Sequence, residues 1–257
     1  MILVKRWNRF GNSMIQLQNI IHIAIYLQDT VKEENKHEFF DIEIINTLLD
    51  NTTNDTIIEN NCNFFDRRYI DFPDKIFKEN REKVQEILEK SFIIQDIPEL
   101  EKDDFVIHIR SGDIFDTNPH PVYLMPPFSY YKNIIDNVRY KNIILIAEDT
   151  KNPVIGKLLT HYPNIIFKIQ SFYKDIQTIL GATNVISSFG TFIPYLLLLS
   201  KNIKNLYQPN YQGWYGHFSK TSIHLHKIDL SDYSKKMRPW KNTPEQIEML
   251  LNYEIPE

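Results

Sequence analysis

The strongest constraint on the fold is an alternation between Phe105 and Tyr207, where short β-branched and aromatic runs are separated by longer amphipathic stretches. Such alternation is typical of parallel strands joined by crossover helices. The predicted strands are Phe105–Ile109, Asn142–Ala147, Asn164–Ile169, Asn184–Ser187 and Ile203–Tyr207, and the predicted helices span 128–138, 152–161, 172–181 and 191–200. The sequence therefore predicts an α/β fold with a doubly wound parallel sheet, which binds ligands at the carboxyl ends of its strands.

The N-terminal part of the chain has a less regular pattern. Its predicted elements are a strand at Ile2–Trp7, a loop at Asn8–Asn12, a helix at Ser13–Leu27, strands at Glu38–Ile42 and Thr56–Phe65, and a helix at Asp74–Ser91. A polar stretch over 95–104 indicates a linker. We therefore predict two lobes, an N-terminal α/β lobe over 1–104 and a C-terminal α/β lobe over 105–257. The second lobe ends in an aperiodic tail over Pro209–Arg238 and a last helix at Pro244–Leu251.

Charge and composition exclude several classes of protein. A formal net charge of -4 supplies no global positive field for a nucleic-acid backbone. The single cysteine, Cys62, allows neither an internal disulfide nor a zinc site built from cysteines, and it fits a reducing compartment. The chain starts with a short, early-charged segment and contains no apolar run long enough to span a bilayer. We expect a cytoplasmic protein with no membrane span and no nucleic-acid partner.

The segment from Phe105 to Asp113 carries the most chemistry, because a buried strand ends there in polar residues. Side chains alternate along a strand, so His108 and Arg110 share one face. Arginine presents a fixed fork of donors that matches a diphosphate. Gly112 permits an unusual turn, and Asp113 can either hold Arg110 or deprotonate a substrate hydroxyl. The alternative is a plain Arg110–Asp113 ion pair that closes a β–α loop.

Two further segments are candidate anion sites. In the first, Arg9 to Asn12, a glycine exposes N–H groups at a helix start, although Asn12 can also simply cap the helix. In the second, Ile179 to Phe192, hydroxyls and N–H groups can bind a phosphate or ribose, while Phe189 can line a base or sugar. The alternative for the second segment is helix capping by Ser187, Ser188 or Thr191.

Together these segments resemble the fucosyltransferase superfamily, which includes α1,2-, α1,6- and protein O-fucosyltransferases. The His-x-Arg-x-Gly-Asp pattern at 108–113 is similar to its first motif, and 9–12 is similar to its N-terminal Gly-Asn loop. Residues 144–149, a strand ending in Glu-Asp, and the Ser-Ser-Phe turn at 187–189 are similar to its later motifs. The motifs follow in the same order and spacing as in that superfamily.

The resemblance implies a two-lobed, GT-B-like glycosyltransferase that inverts the sugar configuration and needs no metal or cofactor. It implies that Arg110 contacts the β-phosphate of a nucleotide-sugar donor and that the N-terminal lobe serves a glycan acceptor. The other donor-binding residues would be Phe10, Gly11, Asn12, Asp149, Ser187, Ser188 and Phe189. Ser111 stands where many relatives carry a second arginine, so GDP-fucose is the first candidate donor and UDP-xylose stays open.

Several assignments stay open at the level of sequence. The catalytic residues would be Arg110, Asp113 and His108, and the base that activates the acceptor is one of Asp113, His108, Asp149 and Glu148. A non-catalytic nucleotide- or glycan-binding module is the alternative function. No metal site is predicted, because His217, His224 and His226 have no marked carboxylate partner. An aromatic group in the tail is either a sugar-stacking platform or packing: Tyr211, Trp214, Tyr215 and Phe218.

Overall fold

The computed structural model describes residues 1–211 and 222–256 and divides into two compact units, Met1–Gln95 and Asp96–Glu257. The sequence analysis placed this division between 104 and 105. The structure places it earlier because the predicted linker packs on the second unit. Leu100 donates its N–H to the carbonyl of Gly181 at 3.0 Å, and the Asn184 amide donates to the carbonyl of Lys102 at 2.7 Å.

The first unit is mainly helical. Its two strands, β1 (Ile2–Val4) and β2 (Val31–Glu33), pair in parallel. Its helices are α1 (Phe10–Leu27), α2 (Ile42–Leu49), α3 (Ile76–Glu79) and α4 (Arg81–Ser91), with a 3-10 helix at Arg67–Tyr69. The core lies where α1 packs against α2, α3 and α4, because most of α1 is buried.

Several predictions for this unit were wrong. The predicted strands at 38–42 and 56–65 are single bridges, Phe40 with Phe92 and Ile58 with Ile2. Residue 42 instead begins α2, because the carboxylate of Asp41 accepts the N–H groups of Glu43 and Ile44 and caps the helix. The predicted helix over 74–91 is two helices, α3 and α4, which are separated at Asn80.

The second unit contains a six-stranded sheet in the order β5-β4-β3-β6-β7-β8, in which every pair is parallel. The strands are β3 (Phe105–His108), β4 (Ile143–Ile146), β5 (Ile166–Lys168), β6 (Asn184–Ile186), β7 (Asn205–Asn210) and β8 (His224–Asp229). The helices are α5 (Phe128–Asn137), α6 (Pro153–His161), α7 (Phe172–Gly181), α8 (Phe192–Leu199), α9 (Ser231–Met237) and α10 (Pro244–Asn252). The predicted α/β class and doubly wound parallel sheet are confirmed.

This strand order reverses direction at β3 and β6, the two central neighbours. From β3 the chain proceeds outward to β4 and β5, then returns to β6 and proceeds outward the other way. Doubly wound sheets bind ligands in the crevice beyond the carboxyl ends of the strands at such a reversal. The polar segments after β3 and after β6 therefore meet at the position where this topology favours a ligand.

The tail beyond residue 222 is ordered structure rather than the aperiodic segment that was predicted. It supplies β8 and α9, and its Trp240 lies in the core of the second unit. The indole N–H of Trp240 donates to the carbonyl of Ile114 at 2.8 Å. The backbone N–H of Trp240 donates to the carbonyl of Pro121 at 3.1 Å. The tail thus holds the segment that follows β3. Within the described ranges, no helix combines the length and apolar character needed to cross a bilayer.

Candidate functional site

Arg110 lies at the carboxyl end of β3, at the point where the sheet reverses. Its Nη2 donates to Oδ1 of Asp113 at 3.0 Å, and its Cζ lies 5.3 Å from the ring centre of Tyr123. A Cβ at Gly190, in the turn after β6, would be 3.8 Å from Nη1. The structure therefore brings Arg110 and Asp113 together with the turn at 187–190.

The Arg110 side chain is 21% exposed, so its guanidinium is neither fully solvated nor sealed in the core. Its Nε is buried and has no hydrogen-bond partner among the described residues. A buried donor without an acceptor costs about 1–3 kcal/mol. An anion in the crevice would meet this unsatisfied donor and the permanent charge together.

Gly112 shapes the turn that follows Arg110. Its φ is +70°, a left-handed conformation that glycine adopts without strain. A Cβ at this position would lie 1.9 Å from a carboxylate oxygen of Glu148, far inside contact distance. Because glycine has no side chain, the Glu148 carboxylate can lie directly against the turn.

Asp149 stabilises the same turn rather than facing an open crevice. Its Oδ1 accepts hydrogen bonds from the hydroxyl of Ser111 and from the N–H groups of Gly112 at 3.2 Å and Lys151 at 3.0 Å. Burial raises the pKa of Asp149, but these hydrogen bonds outweigh burial, and the net pKa is lowered. An oxygen that already accepts three donors is poorly suited to taking a proton from a substrate.

Ser111 is fully buried in this network, and its Oγ also accepts the N–H of Asn152 at 3.0 Å. The residue that stands in place of a second arginine thus connects two loops. Its side chain faces the protein interior instead of the crevice.

His108 is packed at the end of β3. Its ring centre lies 4.9 Å from that of Phe192, at the start of α8. Burial, and then the charge of Arg110, lower the pKa of His108 to about 3. The imidazole is therefore neutral at physiological pH and is a weak base.

The side chains of Ser187, Ser188 and Phe189 are all buried, and their contact with a donor stays a prediction. Ser187 donates its hydroxyl to the carbonyl of Tyr207 at 3.1 Å. Phe189 packs edge-on against Tyr123, with ring centres 6.2 Å apart, and belongs to the core cluster. In this segment Gly190, where φ is +122°, lies beside Arg110, because an added Cβ would be 3.8 Å from Nη1.

Phe10, Gly11 and Asn12 belong to the first unit, whereas the Arg110 site belongs to the second. The predicted loop over 8–12 was partly wrong, because α1 begins at Phe10 and places all three residues in its first turn. Phe10 is buried, with its ring centre 5.3 Å from that of Phe39. The N–H of Asn12 donates to the carbonyl of Arg9 at 2.9 Å, which is the bonding of a helix start.

Sequence reasoning missed two residues near the site, Tyr123 and Asp175. Asp175 is 6% exposed within α7, and its Oδ1 has no hydrogen-bond partner among the described residues. Burial raises its pKa to about 6, against a hydrogen bond from Gln170 and with a smaller contribution from the charge of Glu148. A single aspartate on the apolar side of a predicted helix was the available signal.

The histidines of the tail are described in part. His224 and His226 lie on β8 with ring centres 4.4 Å apart, and His226 stacks on Tyr207 at 4.2 Å. Within residues 1–211 and 222–256, no group of three or more His, Cys, Asp or Glu side chains is arranged to hold a metal ion. Tyr211 is buried in the core cluster, so it packs rather than forms a platform. Four residues of the predicted platform and histidine group lie outside the described residues: Trp214, Tyr215, His217 and Phe218.

No protein-family model matches the chain, and no curated protein matches it. Among solved structures, the chain is similar to E. coli heptosyltransferase WaaC with ADP, at 9% identity over 96% of this chain and 95% of that one, with a TM-score of 0.43. It is also similar to the NodZ α-1,6-fucosyltransferase soaked with GDP-fucose, at 11% identity over 77% of this chain and 92% of that one, with a TM-score of 0.40. At such low identity and score, the function has to be inferred from the residues of the site.

Proposed function

We propose that the chain is a GT-B-type glycosyltransferase that moves a sugar from a nucleoside-diphosphate sugar to a glycan hydroxyl. The observation that carries the proposal is Arg110, a partly exposed guanidinium at the reversal point of a doubly wound sheet, whose buried Nε has no hydrogen-bond partner in the part of the chain that the structure describes. Anionic ligands bind at this point in such sheets, and the arginine fork matches a diphosphate.

The reaction explains why a preplaced cation matters. The acceptor oxygen attacks the anomeric carbon, the bond from that carbon to the phosphate oxygen breaks, and the nucleoside diphosphate leaves with the bonding electrons. Negative charge therefore grows on the diphosphate as the transition state is reached, so Arg110 stabilises the transition state more than the ground state. Because the guanidinium supplies this charge, we propose that the enzyme works without a metal ion. Attack from the face opposite the diphosphate inverts the sugar.

The acceptor proton has to pass to a base, and Asp113 is our candidate. Its carboxylate is 34% exposed beside Arg110, so it reaches both the solvent and the diphosphate site. His108, with a pKa of about 3, and Asp149, with three donors on one oxygen, are less suited. Glu148 is exposed and is the second candidate.

We propose three candidate donors, in the order in which they should be tested. GDP-fucose comes first because of the resemblance of the sequence motifs, and UDP-xylose comes second because the buried Ser111 offers no second cation to the phosphates. An ADP-linked heptose, the donor named for E. coli heptosyltransferase II, completes the panel.

The test is release of nucleoside diphosphate from each donor, since a transferase slowly hydrolyses its own donor even without acceptor. For the donor that is turned over, we expect Arg110→Ala to lower the rate by about 10²–10³, as the loss of one oxyanion-hole donor does. Arg110→Lys should restore little, because lysine keeps the charge but loses the fork. Arg139→Ala, which removes an exposed arginine of the same unit, is the matched control and should match the wild type.

The outcomes separate the alternatives. A donor that binds without release indicates a nucleotide-binding module with no turnover. A rate that disappears in excess chelator and returns with manganese contradicts metal independence. Wild-type turnover in Arg110→Ala would contradict the proposed function.

A further inference from the structure

The guanidinium of Arg110 has an aromatic neighbour, Tyr123, in the loop between β3 and α5. The Tyr123 ring centre lies 5.3 Å from Cζ, within the distance at which a guanidinium is attracted to a ring face. Asp113 binds Nη2, and Gly190 leaves room beside Nη1. Among the described residues, Tyr123 is therefore an aromatic contact of the Arg110 guanidinium.

Tyr123 is itself held firmly, although it lies in a loop. Its N–H donates to the carbonyl of His120 at 3.1 Å, and the carbonyl of Pro121 accepts the backbone N–H of Trp240 at 3.1 Å. The next residue, Leu124, is fully buried. The ring also packs edge-on against the buried Phe189 at 6.2 Å. The loop thus presents a fixed ring to a side chain that otherwise has many rotamers.

We propose that Tyr123 is a positioning residue that holds the Arg110 fork in the direction from which it binds the donor diphosphate. The inference rests on the proposed function. Asp113 fixes one end of the guanidinium by an ion pair, whereas the ring of Tyr123 restricts its plane. A fork held in advance loses less freedom when it binds, so the benefit appears in affinity for diphosphate and in turnover.

The first measurement is calorimetric binding of GDP, UDP and ADP, and of the corresponding nucleosides, to the full chain. For the diphosphate that the wild type binds, we expect Tyr123→Leu to weaken affinity about 5- to 30-fold, the range of a partly desolvated cation–π contact. Affinity for the nucleoside should not change. Tyr123→Phe keeps the ring and should recover most of the affinity, and Tyr140→Leu, an exposed tyrosine of the same unit, is the control.

The second measurement separates positioning from general structural damage. In an Arg110→Ala background, Tyr123→Leu should cause no further loss of diphosphate affinity, because the group it positions is gone. The same fold-loss in both backgrounds would show that Tyr123 acts on the fold instead, and it would overturn the inference.

The third measurement needs no nucleotide. In protein labelled with 15N-arginine, the Nε–H signal of Arg110 is assigned by its loss in Arg110→Lys. Tyr123→Leu should shift this signal and speed its exchange with solvent. An unchanged signal overturns the role of Tyr123. A wild type that binds none of the diphosphates counts against the proposed function, while this signal still decides whether Tyr123 holds Arg110.

Discussion

Polar side chains around the carboxyl end of β3 divide into those that build the turn and those that face the crevice. Ser111 and Asp149 build it, because they bond to each other and to backbone N–H groups on either side. Arg110 and Asp113 face outward, at 21% and 34% exposure. The groups suited to chemistry are thus supported by neighbours that have no exposed role of their own.

Asp175 is a buried acid whose negative charge is only partly stabilised by its surroundings. Its raised pKa, about 6, lies above its ordinary value of 3.8, so the folded protein binds a proton more readily than the unfolded chain. The native state therefore loses stability as pH rises from about 4 to 6, and the full penalty is present at pH 7. We expect Asp175→Asn to raise the free energy of unfolding at pH 7 by about 1–3 kcal/mol. Urea unfolding at pH 7 is the measurement.

The pH dependence provides the control for this substitution. In the wild type the contribution of Asp175 to stability should fall as pH rises from about 4 to 6, and this fall should be absent in Asp175→Asn. Glu99→Gln removes a charge at an exposed position of the same unit and should change little. Equal effects of the two substitutions would show that burial is not the cause.

At the scale of residues, sequence was informative where partners are close along the chain. The Arg110–Asp113 pair and the special turn at Gly112 follow from one segment, and the structure contains both. The contacts of Arg110 with Tyr123 and Gly190 depend on how distant loops return to the sheet edge. The burial of Ser187 and Phe189 could not be predicted from the sequence either, because a serine or phenylalanine that follows a strand can be buried or exposed.

The elements differ in how far a local pattern determines them. Strands β3 to β7 were predicted because they are apolar runs flanked by amphipathic helices. Strand β2, which was not predicted, has only three residues, with Lys32 exposed, and β8 has His224 and Lys227 exposed at the sheet edge. Edge strands have one unpaired side and tolerate polar residues, so they lack the apolar signal of central strands.

The last residue of α7 shows how an element depends on close approach. A Cβ at Gly181 would lie 1.8 Å from the carbonyl oxygen of Pro98, in the segment that joins the second unit. We expect Gly181→Ala to displace this segment, weaken the bond from Leu100 to the Gly181 carbonyl, and destabilise the second unit by about 1–3 kcal/mol. Chemical denaturation of the full chain in a Trp7→Phe, Trp214→Phe background, in which Trp240 is the remaining tryptophan, measures the change by fluorescence.

Gly156 is the matched control, since it lies within α6 and no atom lies within 4 Å of its added Cβ. Alanine has the higher helix propensity, so Gly156→Ala should stabilise the protein by about 0.5–1 kcal/mol. Opposite signs for the two substitutions identify packing, rather than propensity, as the reason for glycine at 181. Stabilisation by both would contradict the close approach to Pro98.

At the scale of the whole molecule, buried titratable groups are distributed unevenly between the two units. Burial lowers the pKa of His22 and of His37 to about 4 in the first unit, with Arg67 and Arg81 adding to the effect on His22. In the second unit the lowered pKa of His108 opposes the raised pKa of Asp175. His226 adds a smaller effect there, because it is only partly buried.

These shifts predict that mild acid weakens the first unit selectively. Between about pH 4 and 6.5 the unfolded chain binds protons that neutral, buried His22 and His37 do not, so the stability of the first unit falls as pH is lowered. From pH 7 to pH 5 we expect a loss of about 2–4 kcal/mol there. In the second unit the gain from Asp175 offsets most of the loss from His108. Hydrogen exchange of the full chain, followed by mass spectrometry, reports both units in one sample.

A substitution shows whether the histidines are the cause. The ring of His22 packs edge-on against Phe77 at 5.4 Å, so phenylalanine keeps this contact, although it loses the hydrogen bond between His22 and the backbone of Ile76. In His22→Phe the acid sensitivity of the first unit should fall by about half, because one of two similar groups no longer titrates. Equal protection loss in both units on acidification, or an unchanged pH dependence in His22→Phe, would show that the acid response arises elsewhere, since each buried imidazole contributes through its own proton.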